Sequence, residues 1–125
     1  MNTRRFSPAR LDGFTRAKIL GMRVGGASHR FIGIWVVTAG GRVYVRSWDV
    51  STDGWNARLR KERLATVQVG TKTIRVSASR VSREAALAAV DRAYFEKYPT
   101  KASRKYCLGL SRGRRRASTL ELRPR

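Results

Sequence analysis

Between Phe31 and Trp48 the chain reads FIGIWVVTAGGRVYVRSW, two runs rich in Val, Ile, Trp and Tyr on either side of Gly40-Gly41. Adjacent glycines tolerate the positive φ of tight hairpin turns, so this spacing predicts an antiparallel hairpin. The first run is apolar on both faces, with Phe31, Trp35 and Val37 pointing one way and Ile32, Ile34 and Val36 the other. The second alternates, Val43, Val45 and Ser47 against Tyr44, Arg46 and Trp48. A run apolar on both sides predicts a central strand of a barrel or sheet, and the remaining elements are expected to be arranged around it.

Upstream, Ser7-Pro8 offers a cap followed by proline at the first helical position, and the spacing of Leu11, Phe14 and Ala17 predicts a short helix over Pro8 to Leu20. Gly21 to His29 reads as loop, with Gly25-Gly26 as its flexible point. Downstream, the polar segment Asp49 to Gly54 is a turn, from which Thr52 or Asp53 would cap a short helix over Trp55 to Arg63. Leu64 to Val69 and Thr73 to Val76 alternate around Gly70-Thr71 and predict a second hairpin. The alanine-rich stretch Ala85 to Lys97, with Ser82 as its cap, predicts the longest helix, with Leu87, Val90, Tyr94 and Tyr98 on its apolar face and Pro99 as its stop. Thr100 to Leu110 is ambiguous and is compatible with a helical turn, Arg112 to Arg116 reads as a loop, and Ala117 to Leu122 as a last strand. Five antiparallel strands with flanking helices point to a single domain over residues 1–125, a compact barrel or an α+β sandwich.

Composition narrows the functional classes. Twenty-eight basic residues against eight acidic ones give a formal charge of +20, which favours anionic partners such as nucleic acid, acidic lipid, phosphorylated cofactors or an acidic protein. No stretch is long and apolar enough for a membrane span, the N-terminus lacks the apolar core of a secretory signal, and Cys107 stands alone. A cytoplasmic protein is the expectation. A multi-histidine metal site is excluded because His29 is the only histidine. Paired catalytic carboxylates, a nucleophile elbow, a dinucleotide fingerprint and a phosphate loop are all missing, and Cys107 between Tyr106 and Leu108 reads as a small buried residue.

Two constellations remain. Arg46 lies within an apolar strand beside Trp48, and Arg58 follows Trp55 by three residues on the predicted short helix. With Asn56, these residues can form an aromatic and cationic pocket for a planar anionic ligand; equally, both tryptophans can be core residues with arginines lying across their edges. The Arg112 to Arg116 tract offers forked donors to phosphate oxygens and is equally readable as a solvated tip.

A family resemblance is carried by these residues. The run Trp35-Val36-Val37, the strand Val43-Tyr44-Val45-Arg46-Ser47, Trp55, the helix end Asp91-Arg92-Ala93-Tyr94-Phe95-Glu96-Lys97-Tyr98 and the terminal stretch from Arg116 to Arg125 resemble a bacterial family of small basic proteins, domain-of-unknown-function family 2255. The resemblance covers about Phe31 to the C-terminus and is weaker before His29. The middle of the chain also resembles, more remotely, the split-barrel proteins that bind FMN or a deazaflavin, whose hairpin is followed by a tryptophan-led helix. Here Gly54-Trp55-Asn56-Ala57-Arg58-Leu59 stands in that place, without the proline that usually precedes the tryptophan and with arginine where asparagine is usual.

The split-barrel resemblance implies a mainly β, FMN-binding-like split barrel that forms a homodimer. It implies that His29, Arg30 and Arg46 face a cofactor phosphate, that Trp48 or Trp55 lies near the ring, and that hydride or electrons pass to a small organic acceptor. The alternative expectation is a basic, non-enzymatic protein that binds nucleic acid through arginines, with aromatic rings stacking on unpaired bases. A barrel without any cofactor is the third.

Overall fold

The structure, a computed structural model, describes residues 4–25 and 29–125. Gly26 of the expected flexible point lies outside the described residues. Among the described residues, five helices and seven strands follow one another as α1 (Pro8–Arg16), β1 (Leu20–Arg23), β2 (Ile32–Ile34), β3 (Val37–Ala39), β4 (Arg42–Val45), α2 (Trp55–Glu62), β5 (Leu64–Val69), β6 (Lys72–Arg80), α3 (Glu84–Lys97), α4 (Arg104–Leu110), α5 (Gly113–Ala117) and β7 (Leu120–Pro124). All strands join one antiparallel sheet in the order β2-β1-β5-β6-β7-β4-β3.

The strand order corrects the expected central strand. The run from Ile32 to Ala39 is two strands, and they are the two edges of the sheet. In a flat sheet those edges would stand about 29 Å apart, six spacings of about 4.8 Å. Only Trp35 and Val36 separate β2 from β3, and three residue steps reach at most about 11 Å. The sheet must therefore curl until its edges meet, and the result is a split barrel. The strand covered on both faces is instead β4, with Val43 and Val45 in the barrel core and Tyr44 in the second core under α3.

At the split, Val36 leaves the ladder and side chains of the α3 end take over its hydrogen bonds. The Tyr98 hydroxyl accepts from the Val36 N–H at 3.3 Å and donates to the Lys18 carbonyl at 2.7 Å. Lys97 Nζ donates to the Val36 carbonyl at 2.7 Å and to the Phe14 carbonyl at 3.0 Å. A buried backbone group with no partner costs about as much as a lost hydrogen bond, so these contacts are what make the crossing tolerable.

Local chemistry explains most of the rest. Gly40 and Gly41 have φ of 57° and 76° and join β3 to β4 through a two-residue turn, as their pattern predicts. Gly70, at φ 61°, turns β5 into β6, which runs to Arg80 and is longer than expected. Ser7 caps α1 by accepting from the Arg10 N–H, but the helix ends at Arg16 because Leu20 already belongs to β1. The expected loop after Leu20 is thus a strand, paired on both sides. Neither Thr52 nor Asp53 caps α2, whose cap is Gly54, and Arg83 rather than Ser82 precedes α3. The arginine tract is helix α5, not a loop. No helix among the described residues is long and apolar enough to cross a membrane.

Candidate functional site

The split leaves a groove of about 600 Å³ between β2, the segment following β4, and α4. Its floor and walls are mostly apolar. Ile19, Ile32 and Ile34 line one side, Tyr106 and Leu110 the other, and Trp35, Trp48 and Trp55, all the tryptophans of the chain, converge on it. Ile19, Ile32, Trp48 and Tyr106 are each at least 40 % exposed, an unusual concentration of large apolar side chains on one wet surface.

Each ring is held by a neighbour. Trp35 stacks on Tyr98 with centroids 4.0 Å apart and planes 4° from parallel, so the residue that closes the split also fixes a wall of the groove. The Trp48 ring meets Tyr106 edge-on at 5.1 Å. Arg115 lies over its other surroundings, with the guanidinium carbon 3.7 Å from the Trp48 ring centroid and Nε donating to the Trp48 carbonyl at 2.8 Å. Trp48 also rests where Gly109 has no side chain: a Cβ there would lie 2.6 Å from the ring. Trp55 is only 9 % exposed and belongs mainly to the barrel core.

Arg46, expected to face a cofactor phosphate, lines the groove from beneath and is engaged mainly within the protein. Its side chain is fully buried and makes four hydrogen bonds within the protein. Nε donates to Thr119 Oγ1 at 2.7 Å, Nη1 to Asp91 Oδ1 at 2.6 Å and to the Leu110 carbonyl at 3.0 Å, and Nη2 to the Leu87 carbonyl at 3.1 Å. It ties the end of β4 to α3, α4 and the start of β7. His29, Arg30 and Arg58 are exposed and do not line the groove. Of the expected site residues, the groove brings together Trp48 and Trp55, with Arg46 buried beneath.

The acid-base chemistry around the groove is sparse. Asp49 lines it, and the Ser51 backbone N–H, 2.9 Å from Oδ1, together with the Ser51 hydroxyl holds its carboxyl below the usual range. It is a carboxylate at neutral pH and no proton donor. Cys107 is fully buried under α3, and desolvation pushes its thiol up, as suits a packing residue. The site residues that sequence reasoning missed are Ile19, Tyr106 and Gly109. Nothing local marks them, because their convergence depends on the curl of the sheet; Trp35 carried a signal as the third tryptophan but was assigned to a strand face.

Solved structures share this architecture. An F420-H2 dependent reductase, FDR-A, superposes with a TM-score of 0.61 at 17 % identity, covering 84 % of this chain and 93 % of its own. The heme storage protein HutZ from Vibrio cholerae gives 0.59 at 16 % identity, over 97 % and 89 %. The conserved hypothetical protein Rv2991 from Mycobacterium tuberculosis gives 0.57 at 13 % identity, over 97 % and 83 %. At such identities the likeness is one of fold, an FMN-binding-like split barrel. No curated protein sequence matches the chain. The family profile DUF2255, described as uncharacterized protein conserved in bacteria, matches residues 9–122, and the chain belongs to that family.

Proposed function

We propose that the groove holds a planar flavin-type cofactor, FMN or a deazaflavin, and that the protein uses it to pass hydride or electrons to a small organic acceptor. The observation that carries this reading is the convergence of Trp35, Trp48, Trp55 and Tyr106 on one apolar groove of about 600 Å³, within the roughly 300–1,000 Å³ typical of small-molecule sites. The names of like-folded proteins, one F420-H2 dependent and one a heme storage protein, support a site for a large ring system. The cofactor supplies the redox chemistry when bound. The chain's part is to cover the ring faces with Trp48 and its neighbours and to keep water away with Ile19, Ile32 and Ile34. Arg30, just before β2, and Arg58, three residues after Trp55, are the exposed cations offered to a cofactor phosphate, with the His29 ring beside Arg30 as a further contact.

A second copy of the chain is the proposed cover for the groove's open side, because the exposed Ile19, Ile32 and Tyr106 form an apolar rim there. The protein would work in the cytoplasm. A second reading, binding of unpaired nucleic-acid bases on the exposed Trp48 beside Arg115, is favoured by that aromatic-cation pair and by the charge of +20.

Tryptophan fluorescence tests the first reading directly. Titration with FMN or the deazaflavin should quench emission and saturate at one cofactor per chain. Trp48→Ala should weaken the affinity at least about tenfold, a loss of about 1.4 kcal/mol. Emission that ignores both cofactors up to millimolar concentration would refute the proposal. A steeply salt-dependent response to single-stranded DNA in its place would favour the second reading.

A further inference from the structure

A smaller pocket of about 220 Å³ lies beside α2 and α5 and shares none of the groove's lining residues. Three arginines from distant parts of the chain meet there: Arg60 of α2, Arg80 at the end of β6 and Arg114 of α5. No acidic residue lines it. Its floor is rigid, since Asn56 and Ser118 are 2 % and 3 % exposed. Asn56 Nδ2 donates to the Ser118 carbonyl at 3.0 Å, and the Ser118 hydroxyl accepts from the Ser47 N–H at 2.9 Å.

The few acidic residues neutralise only some of the arginines. Arg42 and Arg123 share Glu121, Arg116 holds Glu84 and Asp91, and Arg46 holds Asp91. Among the described residues, Arg60, Arg80 and Arg114, like most of the arginines, have no ion pair; what distinguishes these three is that they line one pocket without an acid. Guanidinium groups stay charged at every accessible pH. Three of them around one cavity repel one another unless an anion completes the set. Forked donors suit tetrahedral oxyanions, which can accept from several guanidinium groups at once.

We infer that this pocket is a binding site for the phosphate group of a small phosphomonoester. The occupant is small because the cavity is a closed-bottomed dent of about 220 Å³ rather than a track along the surface. The site is independent of the groove, and its existence does not depend on what the groove binds.

Thermal unfolding at constant ionic strength, with sodium chloride as the balancing salt, provides the test. Inorganic phosphate and glycerol 3-phosphate should both raise Tm with saturation, the monoester at least as effectively as phosphate. Arg80→Gln and Arg114→Gln should each weaken that response at least tenfold, and each should raise Tm without phosphate by removing a repulsive charge. Lys72→Gln, which takes the same charge from the β5–β6 turn, should leave the affinity within twofold of wild type. A response that does not saturate, or that Lys72→Gln weakens as much as the pocket variants do, would overturn the site in favour of general charge screening. Exclusion of the monoester would overturn the ligand class. So would tighter binding of a single-stranded oligonucleotide lacking terminal phosphates, if the same pocket variants abolished it.

Discussion

Arg114, Arg115 and Arg116 are adjacent in sequence but have three separate surroundings, because successive residues of helix α5 point in different directions. Arg114 lines the small pocket, Arg115 covers Trp48, and Arg116 binds Glu84 and Asp91. Asp91 also holds the buried Arg46. Removing it leaves Arg46 charged, dry and without a counter-ion, which typically costs about 3–5 kcal/mol. Asp91→Ala should therefore lose stability of that order in urea unfolding, and a loss below about 1 kcal/mol would contradict the assigned role. The strand pattern marked Arg46 as a cation among apolar residues, but it could not show that Thr119, Leu87 and Leu110 would arrive from elsewhere in the chain to use its donors. Lys97 gives a pH signature. Burial, with the nearby Lys18 charge, lowers it from 10.5 to about 8 in the folded protein. Between those values the unfolded chain binds more protons, so stability should rise with pH. Below about pH 8 both states are protonated and the penalty is present in full. Tyr98 works in the opposite sense: burial raises it from 10.0 to about 12, so its contribution falls above pH 10. From pH 7.5 to 9.5, wild type should gain stability relative to Lys97→Met, and parallel curves would contradict this assignment.

Among the elements, those specified by neighbouring residues were legible. The two glycine-turn hairpins and α3 follow from local turn chemistry and helix propensity, and they appear where expected. The elements that were not legible depend on distant partners. Leu20–Arg23 is a four-residue stretch containing glycine, and it becomes a strand because β2 and β5 flank it. The break at Trp35-Val36 carries no proline or glycine; it exists because Lys97 donates to the Val36 carbonyl and the Tyr98 hydroxyl accepts from the Val36 N–H that the sheet releases. Tyr98→Phe should cost about 1–2 kcal/mol through those lost hydrogen bonds, while the remaining ring keeps its stack on Trp35. An unchanged unfolding midpoint would argue against the α3 end as the support of the split. Helix α4 supplies a test of the groove. Alanine in place of glycine within a helix ordinarily stabilises by about 1 kcal/mol, yet at Gly109 a Cβ would lie 2.6 Å from the Trp48 ring. Gly109→Ala should displace that ring, shift tryptophan emission and weaken cofactor binding. Wild-type emission and affinity would show that the ring is not held there.

At the scale of the molecule, one geometric fact generates the rest. Because the two edge strands are consecutive in the chain, the sheet has to curl, the curl has to leave a split, and the split carries the groove. Around it, the 28 basic residues are unevenly matched: some are neutralised by a few shared acids, and three gather at a pocket with none. The hairpin followed by the tryptophan-led helix made the split barrel legible in the sequence. The composition of its groove was only half legible, since Ile19 and Tyr106 are brought beside Trp48 by topology alone. Native mass spectrometry of gently purified protein, before and after addition of FMN and the deazaflavin, is the most direct test of a cofactor in that groove. A dimer carrying one cofactor per chain is the predicted result. A bare chain or dimer that takes up neither at saturating concentration would contradict the account.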